Sequence, residues 1–382
     1  MCDRMKKQKR WQFFLVGIIL WFVFSVSVYG VEVEDAFDYG EIEKAMEELL
    51  ADQTHLSFSD LAERLTHGDV SGFLKQSIQL FKDALLSEIK SSRLLLAQVI
   101  GIVVVSAVFT NFSMAFSKTF ISETGFYLTY MILFTLLLTS FMSAVDIAME
   151  IMNKMTSFMS VLLPLFCLAI MFTGNLQTGI WYQQAMIAVV SGVEWFLSKV
   201  VFTLVHFYVL ISMVNQLSKE DVLSKCAQLV HTLVQWSTKT GLACVLGIHF
   251  IQGMILPAFD SLKNGWAVRL TNVIPGVGDA MESVIKTMGG SAVLIKNGVG
   301  AAGLLVLVLL FIVPAVKLVV LALFYMAAQA IVQPVADKRM LQCLHSVSEG
   351  IVLLLKIEGT VAVLFFVSLA MMIAVSGNVF GG

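Results

Sequence analysis

Residues 301–332 read AAGLLVLVLLFIVPAVKLVVLALFYMAAQAIV, a run of 32 residues that is almost entirely apolar. About 20 apolar residues in a helix cross the roughly 30 Å hydrocarbon core of a bilayer. The run therefore predicts helix that crosses a membrane. Pro314 and Lys317 interrupt it, and it is too long for one simple span.

Six further apolar segments accompany this run, at residues 94–112, 125–145, 158–172, 185–214, 242–259 and 359–375. Segment 185–214 predicts one tilted helix or two short ones. The composition agrees, because 58% of the 382 residues are hydrophobic and only 14% are charged, against about 45–50% and about 25% in soluble domains. We predict an all-α polytopic membrane helical bundle of six to eight spans, with lipid as its solvent.

The first 30 residues have the pattern of a secretory signal peptide. Val28-Tyr29-Gly30 fits a cleavage site, and acidic residues follow at once. We predict a signal peptide over residues 1–30, with an uncleaved anchor helix as the alternative. The basic residues that precede its apolar core at 11–26 are Arg4, Lys6, Lys7, Lys9 and Arg10.

Charge is distributed unevenly along the rest of the chain. Residues 31–93 hold 14 acidic and 6 basic residues, a net charge of −8, whereas residues 94–382 hold 12 acidic and 14 basic residues, a net charge of +2. This asymmetry divides the chain into a solvated part and a membrane part. We predict a small acidic extracytoplasmic helical region over 31–93 and a multi-span membrane domain over 94–382. Nothing in the charge pattern points to nucleic acid.

Residues 218–239 predict an amphipathic helix rather than a span. Ser218 and Asp221 resemble the start of a capping box. The pattern favours a helix that lies along the membrane surface, and a docking helix for a partner protein is the alternative. The apolar residues that follow at spacings of four, three, four and three are Val222, Cys226, Leu229, Leu233 and Trp236.

Residues 271–300, TNVIPGVGDAMESVIKTMGGSAVLIKNGVG, combine one proline with six glycines. Proline disrupts a regular helix interior, and the glycines add breaks or close-packing sites. Irregular backbone at membrane depth survives only when it is buried in protein or lines a water-filled cavity. We predict a broken or re-entrant segment whose functional residues are Pro275, Gly276, Gly278, Asp279, Lys296 and Asn297.

Charged residues inside the apolar segments predict an intramembrane polar seam. An unpaired charge at the centre of a membrane helix costs about 2.5–3.5 kcal/mol on insertion scales, so each charge must pair, reach the interface or face water. Neighbouring charges here do not share a helix face, and we expect their partners on other helices. Structural pairing between helices is the alternative to a functional seam. The candidate residues are Glu194, Lys199, Lys317, Lys356 and Glu358.

Motifs of membrane enzymes are absent or incomplete. Gly276-Val277-Gly278-Asp279 matches the G-x-G-D of intramembrane aspartyl proteases, but that chemistry needs a second carboxylate inside another span. Asp146 and Asp260 lie only at span edges. The sequence has no H-E-x-x-H and no P-loop, and His206 and His249 lack partners at metal-binding spacing. We predict no enzymatic activity, no catalytic residue, no cofactor and no metal.

Three runs of the sequence stand out: LGIHFIQG at 246–253, IPGVGDAMESVIKTMGGSAVLIKNGVG at 274–300 and IVQPVADKRMLQCL at 331–344. In this order they resemble the stage III sporulation protein AE family of endospore-forming bacteria. The order of parts is similar as well, and the resemblance covers most of 94–376. Ile295-Lys296-Asn297 stands where the family pattern has Leu-Lys-Asn.

The resemblance implies a transporter-like, multipass component of a secretion or feeding channel between mother cell and forespore. It implies partners from the same sporulation operon, including a secretion-type ATPase and ring-forming proteins, and a place in the mother-cell membrane around the forespore. It transfers no catalytic residue. The alternatives are an autonomous transporter of a small solute or ion and a membrane scaffold for partner proteins.

Overall fold

The computed structural model describes residues 40–50, 57–58, 71–115, 119–172, 176–217, 221–271 and 278–375. Throughout these ranges the chain is helical and contains no strand, which confirms the all-α prediction. The predicted signal peptide, parts of the acidic region, Pro275 and Gly276 lie outside the described residues.

The described helices differ greatly in length. The longest has 55 residues, or about 80 Å at 1.5 Å per residue, which is more than twice the thickness of a bilayer core. In chain order they are α1 (Gly40–Leu50), α2 (Ser71–Ala115), α3 (Thr119–Phe172), α4 (Leu176–Phe196), a π-helical turn (Leu197–Val201), α5 (Phe202–Asn215), α6 (Ser224–Thr271), α7 (Gly278–Val332) and α8 (Lys338–Val375).

Four segments in the described ranges are long and apolar enough to cross a membrane: Thr124–Cys167, Gln183–Asn215, Asn297–Val332 and Lys338–Ile373. Predicted spans 125–145 and 158–172 fall together in the first segment, and 185–214 lies in the second. Predicted spans 94–112 and 242–259 lie on α2 and α6 and are not among the four. The count of six to eight spans is therefore not confirmed.

The central helix of the bundle is α7, which packs against α8, α3 and α2. Apolar side chains on nearly all of its faces are buried between residues 299 and 332, as expected for a helix that is hydrophobic all round. Gly300 allows a close approach to two neighbours. A Cβ atom there would lie 2.6 Å from Cγ1 of Ile373 and 2.9 Å from Cε2 of Phe166.

No broken or re-entrant hairpin occurs in the described part of segment 271–300. Residues 278–300 form the first turns of α7 and continue into the apolar run without interruption, and Gly289 and Gly290 are helical. A glycine inside a helix costs only about 1 kcal/mol relative to alanine, so packing along so long a helix outweighs it. We expected these glycines either to break the helix or to allow close packing, and Gly300 allows close packing.

The predicted interfacial helix at 218–239 is not a separate element, because residues 224–239 begin α6, which continues to Thr271. Its predicted apolar face does point away from the bundle. The outward apolar side chains are Leu229, Leu233 and Trp236, whereas Ala227, Val230 and Val234 pack inward. We call the first three the outward face of α6.

Helices α3, α7 and α8 meet in a three-helix junction. The positions of Gly300 and Gly303 on α7 face Ile373 and Leu369 on α8, so these two helices run antiparallel. Gly303 also faces Leu162 of α3. The short loop 333–337 joins α7 to α8.

One end of the bundle gathers both the loop after α5 and the loop before α8. The Tyr130 hydroxyl near the start of α3 donates to the Met213 carbonyl at the end of α5, at 2.5 Å. The Arg339 guanidinium at the start of α8 lies 3.5 Å above the ring of Phe126 on α3, a cation–π contact. The two loops therefore lie on the same side of any membrane that the bundle spans.

Candidate functional site

Glu349 is the centre of a charged cluster between α6 and α8. Its Oε1 lies 3.3 Å from Nε2 of His231 on α6 and 3.8 Å from Nζ of Lys356 on α8. Glu349 and Lys356 are seven residues apart, close to two helical turns, so they share a face. The three side chains are 24–34% exposed, so the charges are paired without being fully removed from the surface.

His231 connects this cluster to the neighbouring helices. Nε2 of Gln235, one turn further along α6, lies 3.5 Å from Nε2 of His231. The Tyr208 ring of α5 lies 5.1 Å from the His231 ring, centroid to centroid. The cluster thus links α5, α6 and α8 and fixes the orientation of the imidazole.

Two further polar pairs continue along α8. Ser212 of α5 and Ser346 hydrogen-bond at 2.6 Å, and Ser368 and Nε2 of His249 hydrogen-bond at 2.6 Å. From Ser346 to Ser368 the helix rises about 33 Å, close to the roughly 30 Å of a bilayer core. Polar contacts therefore occur at both ends of a stretch of α8 that is about as long as a membrane is deep, with the charged cluster between them. We call this set the α8 seam: Ser346, Glu349, Lys356 and Ser368 with Ser212, His231 and His249.

Lys356 is the predicted seam residue that belongs to the α8 seam. We expected its partner on another helix, but Lys356 pairs with Glu349 on the same helix, and it is Glu349 that contacts His231 of α6. Glu358, two residues further on, points elsewhere, as its spacing from Lys356 predicted.

Three other predicted residues lie apart from the α8 seam. Glu194 and Lys317 are half-buried and Lys199 is exposed. Within the part of the chain that the structure describes, none of the three forms an ion pair. Among the described residues, Lys356 is therefore the one member of the predicted five that forms an ion pair.

Glu358 is fully buried, with 0% of the residue exposed. Neither of its carboxyl oxygens has a hydrogen-bond partner among the described residues. Leu369 follows it by eleven residues, or three helical turns, and contacts α7. Glu358 therefore faces α7, away from α6 and the α8 seam.

The residues predicted for the broken segment have different outcomes. Gly278, Asp279 and Lys296 lie in the helical backbone of α7, and Asn297 is half-buried at the start of its membrane-spanning part. Pro275 and Gly276 lie outside the described residues. No pore lining is assigned to this set.

Lys199 lies in a feature that the sequence did not predict, the π-helical turn between α4 and α5. The N–H of Phe202 donates to the carbonyl of Leu197, five residues back. Thr203 Oγ1 donates to the carbonyl of Lys199 at 2.8 Å, which is a carbonyl within the turn. Such turns insert one residue into a helix and are frequent at functional sites.

The loop after α5 is held by a polar cap. Asn215 Nδ2 donates to Asp221 Oδ1 at 2.7 Å, and the N–H of Leu223 donates to Asn215 Oδ1 at 2.6 Å. Hydrogen bonds from Asn215 and Ser224 lower the pKa of Asp221 below its ordinary value of 3.8. The sequence identified Asp221 as a cap, and Ser218, its predicted companion, lies outside the described residues.

Sequence reasoning missed Glu349, His231 and the serines of the α8 seam. The seven-residue spacing of Glu349 and Lys356 is a usable signal, because it places two opposite charges on one helix face. The serine pairs carry no such signal, since a serine in a membrane helix bonds equally well to its own backbone. In the described ranges, no group of three or more His, Cys, Asp or Glu side chains is arranged to hold a metal ion.

A family model described as Stage III sporulation protein AE matches residues 56–376, which include every helix from α2 to the last turn of α8. The chain belongs to the stage III sporulation protein AE family. The resemblance found in the three sequence runs is thereby confirmed. The matched range includes the whole α8 seam and Glu358.

A curated relative shows how far this similarity extends. Stage III sporulation protein AE of Bacillus subtilis (strain 168) is 25% identical over 313 residues, which cover 82% of this chain and 78% of that protein. No solved structure matches the chain.

Proposed function

We propose that this protein is a multipass membrane component of a sporulation-specific secretion or feeding channel complex between mother cell and forespore, needed for forespore development. Family membership supports the sporulation role, and four apolar helices support a place in a membrane. In this proposal the protein lies in the mother-cell membrane that surrounds the forespore and has no enzymatic activity of its own. Its partners are other proteins of the same operon, among them a secretion-type ATPase and ring-forming proteins.

The α8 seam is the observation that carries the channel proposal. Ionisable and polar groups inside a membrane are costly and are typical of pathways for ions or substrates. Here they occur at both ends of a stretch of α8 about as long as a bilayer is deep, and the charged cluster between them stays 24–34% exposed. A partner chain that covers the charged cluster would enclose these charges between the two proteins.

Replacement of seam residues in sporulating cells tests this function. With Glu349→Gln or Lys356→Met we expect spore yield to fall at least about tenfold while the amount of protein in the membrane stays normal, since a broken charge pair alters the path. Lys154→Gln is the control, because Lys154 pairs with Glu150 at 2.8 Å on α3, outside the seam. Normal spore yield from both seam variants would contradict the proposal.

A membrane scaffold is the second candidate, and the outward face of α6 favours it. Leu229, Leu233 and Trp236 are 45–71% exposed and suit contact with lipid or a partner helix. A scaffold tolerates the double exchange Glu349→Lys with Lys356→Glu but loses function when this outward face is made polar. An autonomous transporter is distinguished by solute flux into liposomes that hold this protein alone.

A further inference from the structure

Glu358 is a buried carboxyl group that the α8 seam does not use. It is 0% exposed, and within the described ranges neither oxygen has a hydrogen-bond partner. An isolated carboxylate in an apolar environment costs several kcal/mol. A neutral carboxylic acid in the same place needs only one acceptor for its O–H group.

The helix register places Glu358 opposite the proline of α7. Leu369 of α8 faces Gly303 of α7. Three helical turns back along α8 from Leu369 lies Glu358, and three turns forward along α7 from Gly303 lies Pro314. Because the two helices are antiparallel, these steps go in the same direction and bring Glu358 and Pro314 to one level.

The third helix of the junction buries an apolar side chain at this level. Leu162 of α3 also faces Gly303, and three turns back along α3 lies Ile151, which is 0% exposed. The layer that contains Glu358 therefore consists of α3, α7 and α8 with apolar packing around one carboxyl group.

Pro314 supplies a polar group that suits this carboxyl. Proline has no N–H, so the carbonyl four residues earlier, that of Leu310, loses its helical donor. Helical carbonyls point toward the C-terminus, which directs this oxygen to the level of the proline ring. Leu310 is buried, so water does not readily replace the missing donor.

We propose that Glu358 is a proton-binding site within the junction of α3, α7 and α8, and that the Leu310 carbonyl becomes the acceptor for its O–H group once the carboxyl is protonated. On release, the O–H bond of the acid breaks, the proton passes to water that reaches the opened junction, and a carboxylate remains. Binding is the reverse. The site thus couples the packing of α7 against α8 to one proton.

Charged groups on the surrounding helices do not neutralise Glu358 in this state. Among the described residues none lies within ion-pair distance of its carboxyl. Lys317, three residues beyond Pro314 on α7 and half-buried, is the cation best placed to pair with an ionised Glu358 if α7 rotates. Other ionisable groups on helices that pack against α8 include Asp146, Glu150 and Lys154 on α3, His206 on α5, and His231, Lys239 and His249 on α6.

Infrared spectroscopy of the purified full-length protein in liposomes tests the proposal. At neutral pH we expect a carboxylic-acid C=O band in the wild type that shifts in D2O and is lost in Glu358→Gln. Glu150→Gln, which changes a carboxylate on the surface of α3, leaves the band unchanged. Absence of the band from the wild type overturns the proposal whatever the variants do, and so does its persistence in folded Glu358→Gln.

Two further experiments test whether the ion bound at Glu358 is a proton and whether the Leu310 carbonyl accepts a hydrogen bond from it. Replacing choline chloride by sodium chloride in the buffer should leave the carboxylic-acid band unchanged. Loss of the band in sodium chloride would show that Glu358 binds a sodium ion and not a proton, and would overturn the proposal. Pro314→Ala returns a helical N–H to the Leu310 carbonyl and should shift the band, so an unshifted band refutes the pairing. The inference goes beyond the proposed function, and because purified protein is used, its failure leaves the channel proposal standing.

Discussion

Individual side chains determine how closely the helices approach. Gly300 lets α7 pack directly against Ile373 and Phe166, whereas Gly247 on α6 has no atom within 4 Å of where its Cβ would lie. The sequence presents these two glycines identically, since each lies in an apolar run. Only the neighbouring helices distinguish a packing glycine from a tolerated one.

We expect Gly300→Ala to destabilise the protein by about 1–3 kcal/mol, because an added methyl group overpacks a filled contact. Gly247→Ala should be neutral or stabilising by up to about 1 kcal/mol, since alanine favours helix and meets open space. Thermal unfolding in detergent compares the two. Equal changes in stability for the two variants would show that Gly300 does not pack closely against neighbouring helices.

Asp221 gives a residue-scale prediction for pH. Because the folded-state pKa of Asp221 is lowered, its cap stabilises the loop fully above the ordinary aspartate pKa of 3.8 and is lost as pH falls through the lowered value. We expect Asp221→Ala to increase protease cleavage of the loop after α5 at neutral pH. Wild type should show that increase only in acid, and unchanged cleavage of the variant at neutral pH would argue against the cap.

The charged residues show where residue-level prediction stopped. Lys356 was identified as needing a partner, and it has one. Glu349, that partner, was passed over because it lies near the start of an apolar segment, where a solvated charge costs little. Composition identifies a charge that must pair, but the partner depends on helix phase and on which helices are neighbours.

At the scale of elements, α6 shows why the inward face of a membrane helix is hard to predict. Both of its faces carry apolar residues, because one faces protein and the other is exposed and suits lipid. In water the polar face marks the outside, but lipid removes that distinction. The sequence predicted the helix and its apolar stripe, and the structure shows that Leu229, Leu233 and Trp236 point outward.

Two adjacent positions on α6 test this orientation. Val234→Ala should cost about 1.6 kcal/mol, at about 0.8 kcal/mol for each buried carbon that is removed, because Val234 is 1% exposed. Leu233→Ala should change stability by less than about 0.5 kcal/mol, although it removes more carbon. Chemical denaturation in detergent measures both, and the reverse ranking would show that α6 is rotated.

The long helices also explain why the described residues contain four candidate spans although the sequence predicted six to eight. The sequence divided α3 into two predicted spans at a stretch that contains Asp146, Glu150 and Lys154, yet the backbone remains helical across it. Charges of this kind can pair at i, i+4, as Glu150 and Lys154 do, without ending a helix. A charged interval therefore predicts where solvent lies more reliably than where the backbone turns.

At the scale of the whole molecule, the clustering of the two loops sets a constraint on topology. The contacts of Tyr130 with Met213 and of Arg339 with Phe126 hold both loops at one end of the bundle. Lys338 and Arg339 favour the cytoplasmic side for that end. The sequence alone left the side of each loop open, because two basic residues are weak evidence without a structure that links the loops.

Single cysteines at Val222 and Val335, 68% and 49% exposed, test this arrangement in a chain without its native cysteines. In intact cells, a membrane-impermeant maleimide should label neither site, and after permeabilisation it should label both to within about twofold, since the positive-inside rule places this end in the cytoplasm. Labelling of one site alone in intact cells would show that the loops lie on opposite sides.

The uninterrupted length of α7 has a mechanical consequence. From Pro314 to Gly278 the helix extends about 54 Å as one rod, and proline is the usual place for such a rod to bend. Each 10° of bending at Pro314 would swing the far end by about 9 Å by simple leverage over that length. A displacement of ångström size near Pro314 thus becomes a larger displacement at Gly278. A protein bound to that end of α7 would move with it.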